Sequence, residues 1–124
     1  MSTRAQIVGL ALGRVAIGAA LVASPRSKIG TGWVGGDAER PSVSLLMRAV
    51  GARDVALGLG TLAALRQGGA LRPWLIGASL ADATDLVATL GAGKAVPAQG
   101  RAGIALLASG ALAQQLAIAR GVDA

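Results

Sequence analysis

The stretch VSLLMRAVGARDVALGLGTLAAL, residues 43–65, decides how this chain is read. It is long enough to cross the ~30 Å hydrocarbon core of a bilayer at ~1.5 Å rise per residue. Yet it carries Arg48, Arg53 and Asp54, with Asp54 at its middle. A lone Arg or Asp at mid-bilayer costs roughly 2.5–3.5 kcal/mol even on insertion scales. The segment therefore needs partners of opposite sign at the same depth.

Outward from it lie three more apolar stretches, at residues 6–23, 73–92 and 102–119. Arg14 is close to the centre of the first of these, and Asp82 and Asp85 lie inside the second. The breaks suit spans. Ser24-Pro25-Arg26-Ser27-Lys28 closes the first stretch, and Arg40-Pro41-Ser42 opens the one that follows. Arg66-Gln67-Gly68-Gly69 makes a turn, and Gly93 to Pro97 ends the third stretch. These signals predict an all-α, four-helix up-and-down transmembrane bundle: one domain of the cell membrane, multi-pass, with both termini on one side. Arg4 before an apolar run resembles a signal peptide, but a central Arg14 argues against cleavage. The long first loop, Lys28 to Gly36 around Trp33, reads equally as an interfacial segment or a solvated loop, and Trp33 and Trp74 read as headgroup anchors.

Composition agrees. The 124 residues are 53% hydrophobic and 15% charged, against roughly 25% charged in an average soluble domain, and they include neither Phe nor Tyr. Alanine, glycine and leucine suit helices whose backbones approach closely in lipid; a soluble, glycine-packed helical domain is the lesser reading. Absence of Cys and His removes disulfides, thiol chemistry, the usual zinc sites and histidine-ligated haem, so no metal or cofactor is expected. The net charge of +6 comes from basic residues at span ends with no aromatic interleaving, which indicates membrane flanks and no nucleic acid. Orientation is undecided, because Lys and Arg divide almost evenly between the two sides.

Six charges then stand inside the membrane: Arg14, Arg48, Arg53, Asp54, Asp82 and Asp85, three of each sign. Antiparallel neighbours bring Arg14, Asp54 and Asp82 to one level. The displacements of Arg48 and Asp85 predict that these two pair, while Asp82 or Asp54 serves Arg14 and Arg53. Arg53 projects about 100° from Asp54 around the helix and needs another neighbour. Ser79, Asp82, Asp85 and Thr89 form one polar stripe, and Gly51, Asp54, Gly58 and Thr61 another, whose glycines admit a neighbour to the carboxylate. Ser109, Gln114 and Gln115 offer amides and a hydroxyl to the same layer. Gly9-x3-Gly13 reads as helix packing rather than a dimer motif. Gly58-x-Gly60 is no nucleotide loop, since no strand precedes it.

The run Arg48-x4-Arg53-Asp54-x3-Gly58 followed by Ala81-Asp82-x2-Asp85 resembles a group of small, uncharacterised four-helix bacterial membrane proteins that is distantly DoxX-like. The resemblance covers most of the chain and implies the four-helix membrane fold. It brings no activity, so no catalytic residue is carried over. Signature residues of four-helix membrane isomerases and multidrug exporters are absent.

Intramembrane ionisable groups mark ligand, ion or proton sites by default. The expectation is a multi-pass protein whose Arg/Asp layer binds a small ligand, ion or proton, or seats a partner subunit or second copy. The ligand-binding candidates are the six charged residues, and the partners are the lipid bilayer and a lipophilic small molecule. The alternative is a membrane-embedded acid/base enzyme of isomerase or cyclase type, with Asp82, Asp85 and Asp54 as catalytic candidates. A purely structural network that fixes helix register competes with both.

Overall fold

The structure, a computed structural model, describes residues 1–122 and is built of helices joined by short connections, without strands among the described residues. Five α-helices follow one another: α1 (Thr3–Ala23), α2 (Lys28–Val34), α3 (Pro41–Gln67), α4 (Arg72–Ala92) and α5 (Ala98–Gly121). Short 3-10 turns at Gly35–Glu39 and Gly93–Ala95 precede α3 and α5. Three segments, Thr3–Ala23, Arg72–Ala95 and Ala98–Gly121, are long and apolar enough to cross a membrane. The four-helix expectation is thus corrected to five helices, and α3 falls outside those three segments because Arg48, Arg53 and Asp54 lower its hydropathy.

Local chemistry sets the helix ends. Ser2 caps α1 by accepting the Ala5 N–H at 3.1 Å. Pro41 opens α3, where its missing N–H costs nothing, and Gly68 closes it with φ +68° in the left-handed region. The four long helices exceed their expected bounds by one to four residues at most ends. Lys28–Val34, read as an interfacial segment or a solvated loop, forms the short helix α2. Gly30 is a packing residue: a Cβ there would overlap the Pro25 carbonyl.

The long helices associate as two tight antiparallel pairs, α1 with α3 and α4 with α5. In the first pair the backbones nearly touch. A Cβ on Gly18 would lie 2.5 Å from the Gly51 carbonyl oxygen, one on Gly51 would lie 2.5 Å from that of Gly18, and one on Gly58 would meet Ala11 and Val15. Gly51, Asp54, Gly58 and Thr61 are all buried on that face. Between the pairs contact is sparser. At one end of the bundle Ile7, Leu75, Ile118 and Ala119 close the interior, and Trp74 of α4 lies over Gly60 of α3.

Two arginines finish helices other than their own. Arg48 of α3 donates to the Val22 carbonyl in the last turn of α1. Arg72 of α4 donates from Nε to the Ala119 carbonyl at 2.9 Å and from Nη2 to that of Val122, at the end of α5. Terminal carbonyls lack intrahelical partners, and a cation there also suits the helix dipole. Replacing Arg72 by Ala is expected to cost about 1.5–3 kcal/mol, as for other hydrogen bonds from charged groups. Hydrogen exchange should then speed up in the last turn of α5 and nowhere else; unchanged exchange there would disprove the cap.

Candidate functional site

Sparse contact between the helix pairs leaves the polar groups to join them. Arg14 of α1 donates from Nη1 to Asp54 Oδ1 on α3 (3.1 Å), and from Nη2 to Asp82 Oδ2 on α4 (2.6 Å) and Gln115 Oε1 on α5 (3.0 Å). Gln115 completes a ring by donating from Nε2 to Asp82 Oδ2 at 2.8 Å. One guanidinium therefore touches all three other long helices. Its planar fork makes this feasible, since a single ammonium lacks the geometry to serve three partners so spread.

Beside this group Arg53 grips Asp85 in a two-pronged pair, Nη1 to Oδ1 at 3.0 Å and Nη2 to Oδ2 at 2.7 Å. The same guanidinium bends back to Asp54 Oδ1 at 3.1 and 3.3 Å. Asp54 Oδ1 thereby becomes the bridge between the two arginines. The 100° offset of Arg53 from Asp54 directs it to α4, as the helix geometry requires, while its long side chain still reaches its sequence neighbour.

Two sequence expectations are corrected here. Arg48 does not pair with Asp85: it is exposed and caps α1, and Arg53 takes Asp85, because the antiparallel register of α3 and α4 brings Arg53 level with that carboxylate. Arg48 thus stands apart from the other five charges. Asp82 and Asp85 are engaged by different guanidiniums, Asp82 by Arg14 and Asp85 by Arg53. Gly9 and Gly13 pack against no neighbouring helix; a Cβ on either would meet nothing within 4 Å. Among the amides, Gln115 is buried in the layer, Gln114 reaches only Gln6 at 3.4 Å, and Ser109 is exposed.

Both glycines instead border a cavity of about 530 Å³ between α1 and α5. Apolar side chains of α1 and α5, with Ile29 and Trp33 of α2, make its walls, and Arg14, Asp54, Asp82 and Asp85 stand at its polar end. It opens sideways, where Ile17 and Leu107 of its lining are 41% and 64% exposed. Trp33 Nε1 donates to Thr89 Oγ1 at 3.0 Å, which ties α2 to α4 and turns the indole toward the bundle, where it borders the cavity. Gly100 of α5 fits against the Trp33 backbone, where a Cβ would overlap the carbonyl oxygen. Neither the Trp33 contact nor the cavity was legible beforehand; the one available signal was a tryptophan among glycines.

Compared with protein families, curated proteins and solved structures, the chain matches none. What the site does is read from its own geometry. Size fits a small organic ligand, as such pockets run to about 300–1,000 Å³ with apolar walls and few convergent polar groups. A metal is a poor fit: among the described residues no group of three or more His, Cys, Asp or Glu is arranged to hold one.

Proposed function

We propose that this chain is a four-span, up-and-down protein of the cell membrane that binds a lipophilic small molecule between α1 and α5, polar end inward. The fourth span is α3. Its 27 residues reach about 40 Å at helical rise, it pairs closely with α1, and its Arg53 and Asp54 have partners on neighbouring helices. Pairing of this kind offsets the insertion cost that hydropathy alone assigns to the segment. The DoxX-like resemblance agrees with four spans and adds nothing about the ligand.

The observation that carries the binding reading is the cavity itself, apolar along its length and ending on a fixed array of charges. A network serving only helix register would be enclosed by side chains, whereas here glycines at 9, 13 and 103 hold open the approach to it. The same cavity, lined at its polar end by Asp54, Asp82 and Asp85, also suits the enzyme alternative.

Filling the cavity tests the reading. Gly13 has open space before it and leucine favours a helix more than glycine does, so Gly13→Leu is expected to fold and insert normally. Small molecules that co-purify with the wild type, identified by extraction and mass spectrometry, should be lost from the variant. Retention of the same molecules at the same stoichiometry would sink the proposal.

A further inference from the structure

The intramembrane charges balance when counted along the chain, but not when counted in space. Arg48 lies outside the cluster, exposed and bound to the Val22 carbonyl. What remains at the cavity's polar end is two guanidiniums, Arg14 and Arg53, against three carboxylates, Asp54, Asp82 and Asp85. One negative charge is left over.

Its position is also defined. Both oxygens of Asp85 are taken by Arg53. Asp82 accepts only at Oδ2, and Asp54 only at Oδ1. Oδ1 of Asp82 and Oδ2 of Asp54 accept no hydrogen bond from any described residue, although both side chains are only 12% exposed. These carboxylates line the cavity, and neither free oxygen is a fully enclosed, unsatisfied atom. Uncompensated charge beside hydrocarbon is costly, and a donor or cation placed there removes the cost.

Resting on the binding reading above, we infer that the ligand is a lipophilic organic monocation, an alkylammonium-type molecule whose charged head sits against Asp82 and Asp54. The apolar walls take its hydrocarbon. An inorganic cation would need several oxygen ligands, whereas two of the three carboxylates of the lining each offer one oxygen, both oxygens of the third are held by Arg53, and the rest of the lining is apolar but for Gln99 and Arg14. An anion would meet three carboxylates with both arginines already engaged. Trp33 adds an aromatic surface of the kind that tolerates an organic cation nearby.

The test uses the full chain in nanodiscs of zwitterionic phosphatidylcholine, titrated with dodecylammonium, dodecanol or dodecanoate. Trp33 emission is the readout, with Trp74 at the opposite, Gly60 side as constant background. Gly13→Leu serves as the blank for partition into the lipid. Saturable dodecylammonium binding at least about tenfold tighter than that of dodecanol is expected, with dodecanoate weakest. Asp82→Asn should bring the cation and the alcohol to within about twofold, and Arg48→Gln should leave the wild-type preference intact. Equal binding of all three probes would overturn the cation assignment while leaving the cavity a binding site. Absence of saturable binding by any probe would remove the binding reading, and this inference with it. A preference altered by Arg48→Gln would mean that Arg48 belongs to the cluster, which also overturns the charge count. The probe comparison on wild type requires no variant to fold.

Discussion

Replacing Arg14 by alanine is expected to strip most of the folded protein from the membrane. Arg14 of α1 reaches α3, α4 and α5 by hydrogen bonds to Asp54, Asp82 and Gln115, and its side chain is only 9% exposed. Without it three carboxylates face a single guanidinium. Breaking a buried ion pair by removing one partner costs about 3–5 kcal/mol, because the other charge stays buried and uncompensated. The loss falls where the two helix pairs have few other contacts. Steady-state amount in membranes should drop severely, and Tm in mild detergent should fall by about 10 °C or more. Arg14→Lys should not restore it, since one ammonium cannot reproduce the fork to three partners. Arg14→Ala combined with Asp82→Asn should recover part of the loss, because one stranded charge goes as well. A single Arg14→Ala variant with wild-type abundance, and Tm within about 2 °C, would show that the layer does not hold the pairs together.

Gly51→Leu is expected to be nearly as damaging, for a steric reason. The space in front of Gly51 is occupied by the Gly18 carbonyl oxygen at 2.5 Å, the Leu21 Cβ at 2.8 Å and the Val22 amide nitrogen at 3.0 Å. Two of those atoms are backbone, so no rotamer change relieves the clash and α1 must move off α3. Overpacking of this sort costs about 1–3 kcal/mol where side chains can yield, and more where they cannot. Displacing α1 also shifts Arg14, one helical turn from Gly18, away from Asp54, so packing and charge layer fail together. Gly110→Leu is the matched control, because a Cβ at Gly110 meets nothing within 4 Å. Gly51→Leu should lower Tm sharply and Gly110→Leu should not; similar behaviour of the two would argue against the close α1–α3 crossing.

Both variants act on residues that stood out in the sequence, and this marks how far the sequence could be read. Apolar segment length and the Pro, Ser and Gly breaks determined the four long helices. Helical periodicity determined which face of α3 carries Gly51, Asp54, Gly58 and Thr61, and which face of α4 carries Ser79, Asp82, Asp85 and Thr89. The need of Arg14, Asp54 and Asp82 for opposite charges at one depth followed from the cost of leaving any of them alone in lipid. These are properties of single helices, set by spacing along one chain segment.

Only the tertiary structure decided which arginine meets which carboxylate. Depth along a helix orders candidate partners, but azimuth and register between helices select among them, and those depend on how closely the Gly18–Gly51 crossing lets α1 approach α3. That selection sent Arg53 to Asp85 and Arg48 to the end of α1, turning a balanced count of charges into a cluster with one negative charge over. It likewise left Gly9 and Gly13 facing space rather than a helix, and folded the glycine-rich loop into α2 with Trp33 turned inward. A cavity is the gap between surfaces, and no single segment of sequence encodes a gap.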